Sequence, residues 1–128
     1  METFIVTMPA GKYWLGDPCY SFPDSMEWQQ VLNKATHCIH SPLVEHQGAK
    51  ILAVPTRFGD GECHARHEVD DYEMPLVVTS GFMGLVPEEF TGGIQPAFTG
   101  WFRVDRDFPV EYVGNAINVN GWMIDLNK

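Results

Sequence analysis

Apolar positions along this chain gather in short segments rich in β-branched and aromatic residues, each bounded by Gly, Pro, Asn or Asp. That pattern predicts strands, here over 4–8, 12–15, 51–56, 63–68, 76–79, 82–86, 97–105, 110–113, 116–118 and 122–126. One stretch, 25–36, reads as a helix instead, with Met26, Trp28, Val31 and Leu32 supplying an apolar face. Asp24 stands at its N-cap after Pro23, and Glu27 follows three residues on, an Asp version of the capping box. Gly59-Asp60-Gly61 between two strands, and Asn120-Gly121 before the last, read as hairpin turns of an antiparallel arrangement. The expected fold class is therefore α+β, mainly antiparallel β, as a twisted sheet or partly closed barrel, with one helix near residues 25–36 packed against it.

Length and composition agree with one domain spanning residues 1–128, enough chain to bury roughly two thirds of its unfolded surface without a metal or disulfides. No repeat or polar linker marks a second domain, and no apolar run approaches the ~20 residues of a membrane span. Met1-Glu2-Thr3-Phe4 carries an acid where a secretory signal would be basic, so the expected location is cytoplasmic. Three cysteines, an odd number, agree with free thiols in a reducing compartment. Seventeen acids against eight bases give a net charge of -9, which repels phosphate backbones; direct nucleic acid binding is not expected. The acids are scattered along the chain, so a solvated acidic surface is the simpler reading than a mimic of DNA.

Metal chemistry has one candidate region. Seven of the eight Cys and His residues lie between His37 and His67, as His37-Cys38-x-His40, His46 and Cys63-His64-x-x-His67. Zinc takes four such ligands, usually as two close pairs. No C-x-x-C or H-E-x-x-H occurs, however, and strand alternation would set Cys63 and His67 on one face and His64 on the other. Surface and half-buried histidines are the default, and no cofactor is required, with zinc or another divalent metal as the alternative.

Three glycine-punctuated blocks combine chain reversal with polar groups: Gly16-Asp17-Pro18-Cys19-Tyr20, Gly59-Asp60-Gly61 and Ser80-Gly81-Phe82-Met83-Gly84. The first reads as a stiff turn, because Pro18 holds Asp17 extended and the Asp side chain can bond nearby amides. It could equally wall a pocket, with Asp17 as polar anchor among Tyr13, Trp14, Tyr20 and Phe22. Nothing lowers the Cys19 pKa, and Asp17 would raise it, which argues against a catalytic thiolate. The second block is explained by a hairpin turn, with a cation held by Asp60 and Glu62 as the functional reading. The third lacks the G-x-S-x-G frame, since Val78 precedes Thr79-Ser80, and reads as a tight hairpin or a close backbone approach.

Together the blocks resemble those of a group of small bacterial and bacteriophage proteins in which a strand ending G-D-x-C-Y leads to a Trp-containing helix, a G-D-G-x-Y hairpin and an acid-x-G-x-I-G segment. The counterparts are Gly16 to Tyr20, Trp28, Gly59 to Cys63 and Thr79 to Gly84, covering about residues 11–87; Trp101 and Trp122 lie outside. Cys63 replaces a usual aromatic and Thr79 or Ser80 a usual acid, so a cation site with Asp17 and Asp60 would lack a ligand. The group brings no activity with it; the resemblance implies a phage accessory protein acting by binding. The expected function is a non-enzymatic binding protein, possible as an anti-defence factor, acting on a host protein or a small nucleotide ligand. Its binding residues would be Trp14, Asp17, Tyr20, Arg57, Asp60 and Phe82, helped by Lys12 and Phe22, and a homo-oligomer would form through an exposed sheet edge. The alternatives are a metal-assisted hydrolase using Asp17, Asp60 and some of His37, His40, His64 and His67, an acidic DNA mimic, and a purely structural accessory protein.

Overall fold

Strands with a strict alternation of buried and exposed positions can leave one face wet, whereas strands buried at consecutive positions need cover on both faces. Both kinds occur here. In the computed structural model, which describes residues 3–22, 24–37 (side chains to residue 34), 43–56, 60–69, 72–113 and 116–126, one sheet holds only alternating strands, and the strands buried at consecutive positions all fall in the other. The alternating set is β1 (Thr3–Met8), β9 (Phe108–Val113), β10 (Ala116–Val119), β11 (Trp122–Asp125), β5 (Gly61–His67) and β6 (Glu73–Val78), hydrogen-bonded in that order as a six-stranded sheet. The second sheet has five strands, β3 (Leu43–His46), β4 (Ala49–Pro55), β7 (Phe82–Pro87), β2 (Gly11–Gly16) and β8 (Gly100–Val104). All described pairings are antiparallel.

The inner faces of the two sheets share one core, in which Met8, Val110, Ile117 and Ile124 of the six-stranded sheet join Tyr13, Leu15, Leu52 and Leu85 of the other. The outer face of the five-stranded sheet carries a second core of Phe22, Val31, Val44, Ile51 and Val86 beneath α1 (Ser25–His37). Its central strands are thus covered on both sides, and Ile51, Leu52, Ala53 and Val54 are all buried in succession. The α+β class and the single helix stand as expected. The arrangement is two sheets and not a closed barrel.

Two long ribbons bend from one sheet into the other. β1 and β2 are joined by residues 9–10 but pair with β9 and β8 respectively, and the Ala10 amide donates to Asp107 Oδ1 (3.2 Å) at that corner. Likewise β4 pairs with β7 while β5 pairs with β6, and the Thr56 amide donates to the Gly81 carbonyl at 2.8 Å. This corrects the hairpin expected at Gly59-Asp60-Gly61: the strands on either side, β4 and β5, lie in different sheets and do not pair with each other. Asp60 is exposed there, and Arg57, Phe58 and Gly59 lie outside the described residues.

Asn120-Gly121 does close a hairpin, with φ of 47° and 84° at the two turn residues. A second turn of that kind, Gln47-Gly48 (φ 52° and 78°), joins β3, a strand the apolar pattern did not mark, to β4. The helix is capped as read, Asp24 Oδ1 accepting from the Met26 amide at 2.9 Å. Trp28 and Leu32 are half-buried and Val31 buried, but Met26 is exposed, because it lies about 200° around the helix from Trp28. No helix among the described residues is long and apolar enough to cross a membrane.

Candidate functional site

Of the expected site residues, Asp17 has the most sharply defined surroundings. It leaves β2, caps a 3-10 turn at Pro18–Ser21 and is fully buried. Its Oδ1 accepts from the Cys19 amide (2.9 Å) and the Ser80 hydroxyl (2.6 Å), while Oδ2 accepts from the amides of Thr79 (2.7 Å) and Ser80 (2.8 Å). Two of the sequence blocks therefore do meet in space. Their meeting consumes the carboxylate, however, because an ionised carboxylate has about four acceptor positions and the chain fills them. As placed, Asp17 is the rivet between the β2 exit and the β6–β7 corner and not a free ligand anchor.

The thiol beside it is equally occupied with structure. Cys19 Sγ lies 3.3 Å from Thr79 Oγ1. Burial, with the Asp17 charge adding to it against the opposing Thr79 hydroxyl, pushes the Cys19 thiol up to about 11. Burial likewise, with Asp125 and Glu62 nearby, pushes the Cys63 thiol up to about 12. Both stay protonated at neutral pH, so neither is a thiolate nucleophile. In the unfolded chain these thiols ionise near 9, so from about 9 to about 12 the fold holds more protons than the unfolded state. Stability should accordingly fall as pH rises through that window, read as a declining melting temperature. Cys63→Ala is expected to flatten the decline while lowering the starting value.

The expected aromatic surface is dispersed. Trp14 and Phe22 are buried, Trp14 donating its indole N–H to Thr91 Oγ1 at 2.9 Å and Phe22 stacking on Trp28. Phe22 belongs to the core under the helix, and Trp14 is buried against Thr91 and Lys12, so as placed neither ring is open to a ligand. Tyr20 is half-buried with its ring edge-on to exposed Phe98, and Phe82 is half-buried against Trp28. Lys12 Nζ lies 4.9 Å and 4.5 Å from the ring centres of Trp14 and Trp101, and 3.7 Å from Glu88. Beside it opens a cleft of about 410 Å³ lined by Pro9, Gly11, Lys12, Lys50, Glu88 and Glu89, among others.

The histidines do not converge. His64 projects from the wet face of β5, its Nε2 3.2 Å from Glu62 and its Nδ1 3.7 Å from Glu73. His67 packs its ring edge against Trp122 and accepts from the Val69 amide. His46 is buried between Phe22 and Phe90, with its Nε2 3.7 Å from Glu27 and without a hydrogen-bond partner among the described residues. The side chain of His37, and all of Cys38 and His40, lie outside the described residues. Among the described residues no group of three or more His, Cys, Asp or Glu side chains is placed to hold a metal ion.

What the sequence reading missed is the wet face of the six-stranded sheet. The strand registers set Ile5, Glu111, Asn118, Met123, Arg66 and Glu73 side by side in one row across all six strands. Five residues of this row, Ile5 to Arg66, line a groove of about 490 Å³, together with Glu68, Pro109, the Asn120-Gly121 turn and Trp122. Its floor is held by Asn118 Nδ2 donating to Glu111 Oε1 at 3.2 Å. Ile5 is 68% and Met123 45% exposed, apolar side chains that the core does not use. The signal was present as Ile5 and Met123 falling on the polar parity of their strands, but the residues come from opposite ends of the chain and only register unites them. No protein-family model matches the chain, and no match is found among curated proteins or among solved structures.

Proposed function

We propose that the protein is a non-enzymatic binding protein whose recognition surface is the groove on the wet face of the six-stranded sheet, and whose ligand is another protein. The observation that supports this most is the exposure of Ile5 and Met123, two large apolar side chains that the core leaves to solvent and that line one concavity together with Trp122. A protein segment suits the groove better than a nucleotide does. One base, Arg66, stands there against Glu68 and Glu111, and the chain as a whole carries -9, so a phosphate meets net repulsion. The complementary partner is an apolar segment flanked by a basic residue. The phage origin, host-cytoplasm setting and anti-defence role implied by the sequence blocks belong to this same proposal and make that partner a host protein.

Affinity capture from a bacterial lysate, quantified by mass spectrometry, tests it in paired form. Met123→Asp, exposed and free of core packing, is expected to lose the captured partner by tenfold or more, on the order of 1.4 kcal/mol or greater. Lys50→Ala, in the cleft beside Lys12 that shares no lining residue with the groove, is expected to retain it. Equal retention by both variants, or none beyond background in the unsubstituted protein, removes the groove as the recognition surface.

A further inference from the structure

Four strands end the two sheets, and three of them are guarded. β6 carries Pro75, which lacks the N–H a docking strand would need. β3 has only four residues, and Lys34 Nζ of the helix donates to its Glu45 carbonyl at 3.0 Å. β8 has Arg103 on it, and the Thr99 carbonyl just ahead of it is taken by Gln95 Nε2. β1 has none of these protections. It pairs with β9 along one side, no described strand lies along the other, and its six residues, Thr3-Phe4-Ile5-Val6-Thr7-Met8, include no charge, proline or glycine.

The order of side chains within β1 identifies what fits it. An antiparallel twofold placed at Ile5 sets Thr3 opposite Thr7 of a second copy, Phe4 opposite Val6, and Ile5 opposite itself. Thr–Thr, aromatic–β-branched and Ile–Ile are all favourable cross-strand pairs, with Cβ atoms roughly 4.5–5.5 Å apart. A twofold interface requires such self-complementarity, and a one-residue slip would throw the half-buried Phe4 and Val6 onto the wrong face. We propose that the protein forms a homodimer by antiparallel pairing of β1 with β1 of a second copy, joining two six-stranded sheets into one continuous sheet. About four to six backbone hydrogen bonds form across the join. The two grooves then meet at the twofold, since Ile5 lines each of them. The net charge of -9 on each copy opposes the association over distance, so added salt strengthens it up to the range where screening is complete.

The dimer stands independently of the groove's role in partner recognition, and the two are read by different variants. Sedimentation or light scattering at physiological salt, from low to high micromolar protein, is expected to show a species of twice 14.5 kDa. Ile5→Lys and Ile5→Glu each place like charges in contact across the twofold and are expected to be monomeric; because Ile5 faces solvent, both keep the fold. Mixed in equal amounts they are expected to recover a heterodimer. Met123→Asp leaves the dimer mass unchanged. A monomer at every concentration, a dimer that survives in both charged variants, or charged variants that stay monomeric when mixed would each overturn the proposal.

Discussion

Replacing Asp17 with alanine is expected to cost about 3–5 kcal/mol, a large part of the 5–15 kcal/mol that holds a domain of this kind together. The substitution strands three backbone amides, those of Cys19, Thr79 and Ser80, and the Ser80 hydroxyl. Each amide left unpaired in a buried position costs about 1 kcal/mol or more, and the bonds lost were to a charged acceptor, the stronger kind. For a chain of this length the melting temperature should fall by roughly 10–20 °C. Asn is a diagnostic replacement because it keeps size but swaps one oxygen for a donor. If its NH₂ takes the Oδ2 position it faces the amides of Thr79 and Ser80, and if it takes Oδ1 it faces that of Cys19. Either orientation opposes donor to donor, so Asp17→Asn should recover little of the loss. Chemical denaturation of the three proteins decides it: an Asn variant as stable as the parent would mean that the carboxylate is not spent on these amides, and Asp17 would return as a ligand candidate.

Local features of the chain were readable because they rest on short-range rules. Asp24 before an apolar-periodic stretch announced the helix, and Asn120-Gly121 announced a turn that needs positive φ at both positions. The partition into two sheets was harder, since a strand's own residues do not name its partner. A usable signal existed in the unbroken apolar runs Tyr13-Trp14-Leu15 and Ile51-Leu52-Ala53-Val54, which demand cover on both faces and so place β4 between the other sheet and the helix, and β2 between that sheet and the 3-10 turn at Glu88–Thr91. The same reasoning would have moved Trp14 from recognition to core. Short, mixed Leu43-Val44-Glu45-His46 carried no clear period, and only its pairing with β4 makes it a strand. Asp17 was legible as a turn former, but the donors on its Oδ2 lie 62 and 63 residues downstream, beyond any local rule. The groove was least legible, because its value lies in what it leaves exposed after every strand is in register.

Gly84→Ala reverses an ordinary expectation, and its sign follows from one close approach. Gly84 is an interior strand residue in β7, between Ala53 of β4 and Gly16 of β2, and it is not among the residues with positive φ. At such a position alanine normally stabilises by about 0.4–1 kcal/mol through the unfolded chain's lost freedom. Here, however, a Cβ would run into the backbone carbonyl of Leu52 and press on the ring of Pro18 at 3.2 Å. Leu52 cannot step aside by changing rotamer, because the contact is backbone, and Leu52 is itself fully buried in the core between the sheets. Relief must come from parting β4 from β7 or lifting the 3-10 turn, and either loosens the junction that Asp17 fastens. Overpacking of this sort costs about 1–3 kcal/mol where side chains absorb it and about 3 kcal/mol or more where a strand must shift. The clash therefore outweighs the entropic gain, and the alanine variant should unfold at markedly lower denaturant than the parent, with Asp17→Ala and Gly84→Ala together costing less than the sum of their separate effects because both open the same contact. A neutral or stabilised Gly84→Ala would show that β4 does not approach β7 so closely, and strictly additive losses would show that the glycine and the carboxylate secure separate parts of the fold.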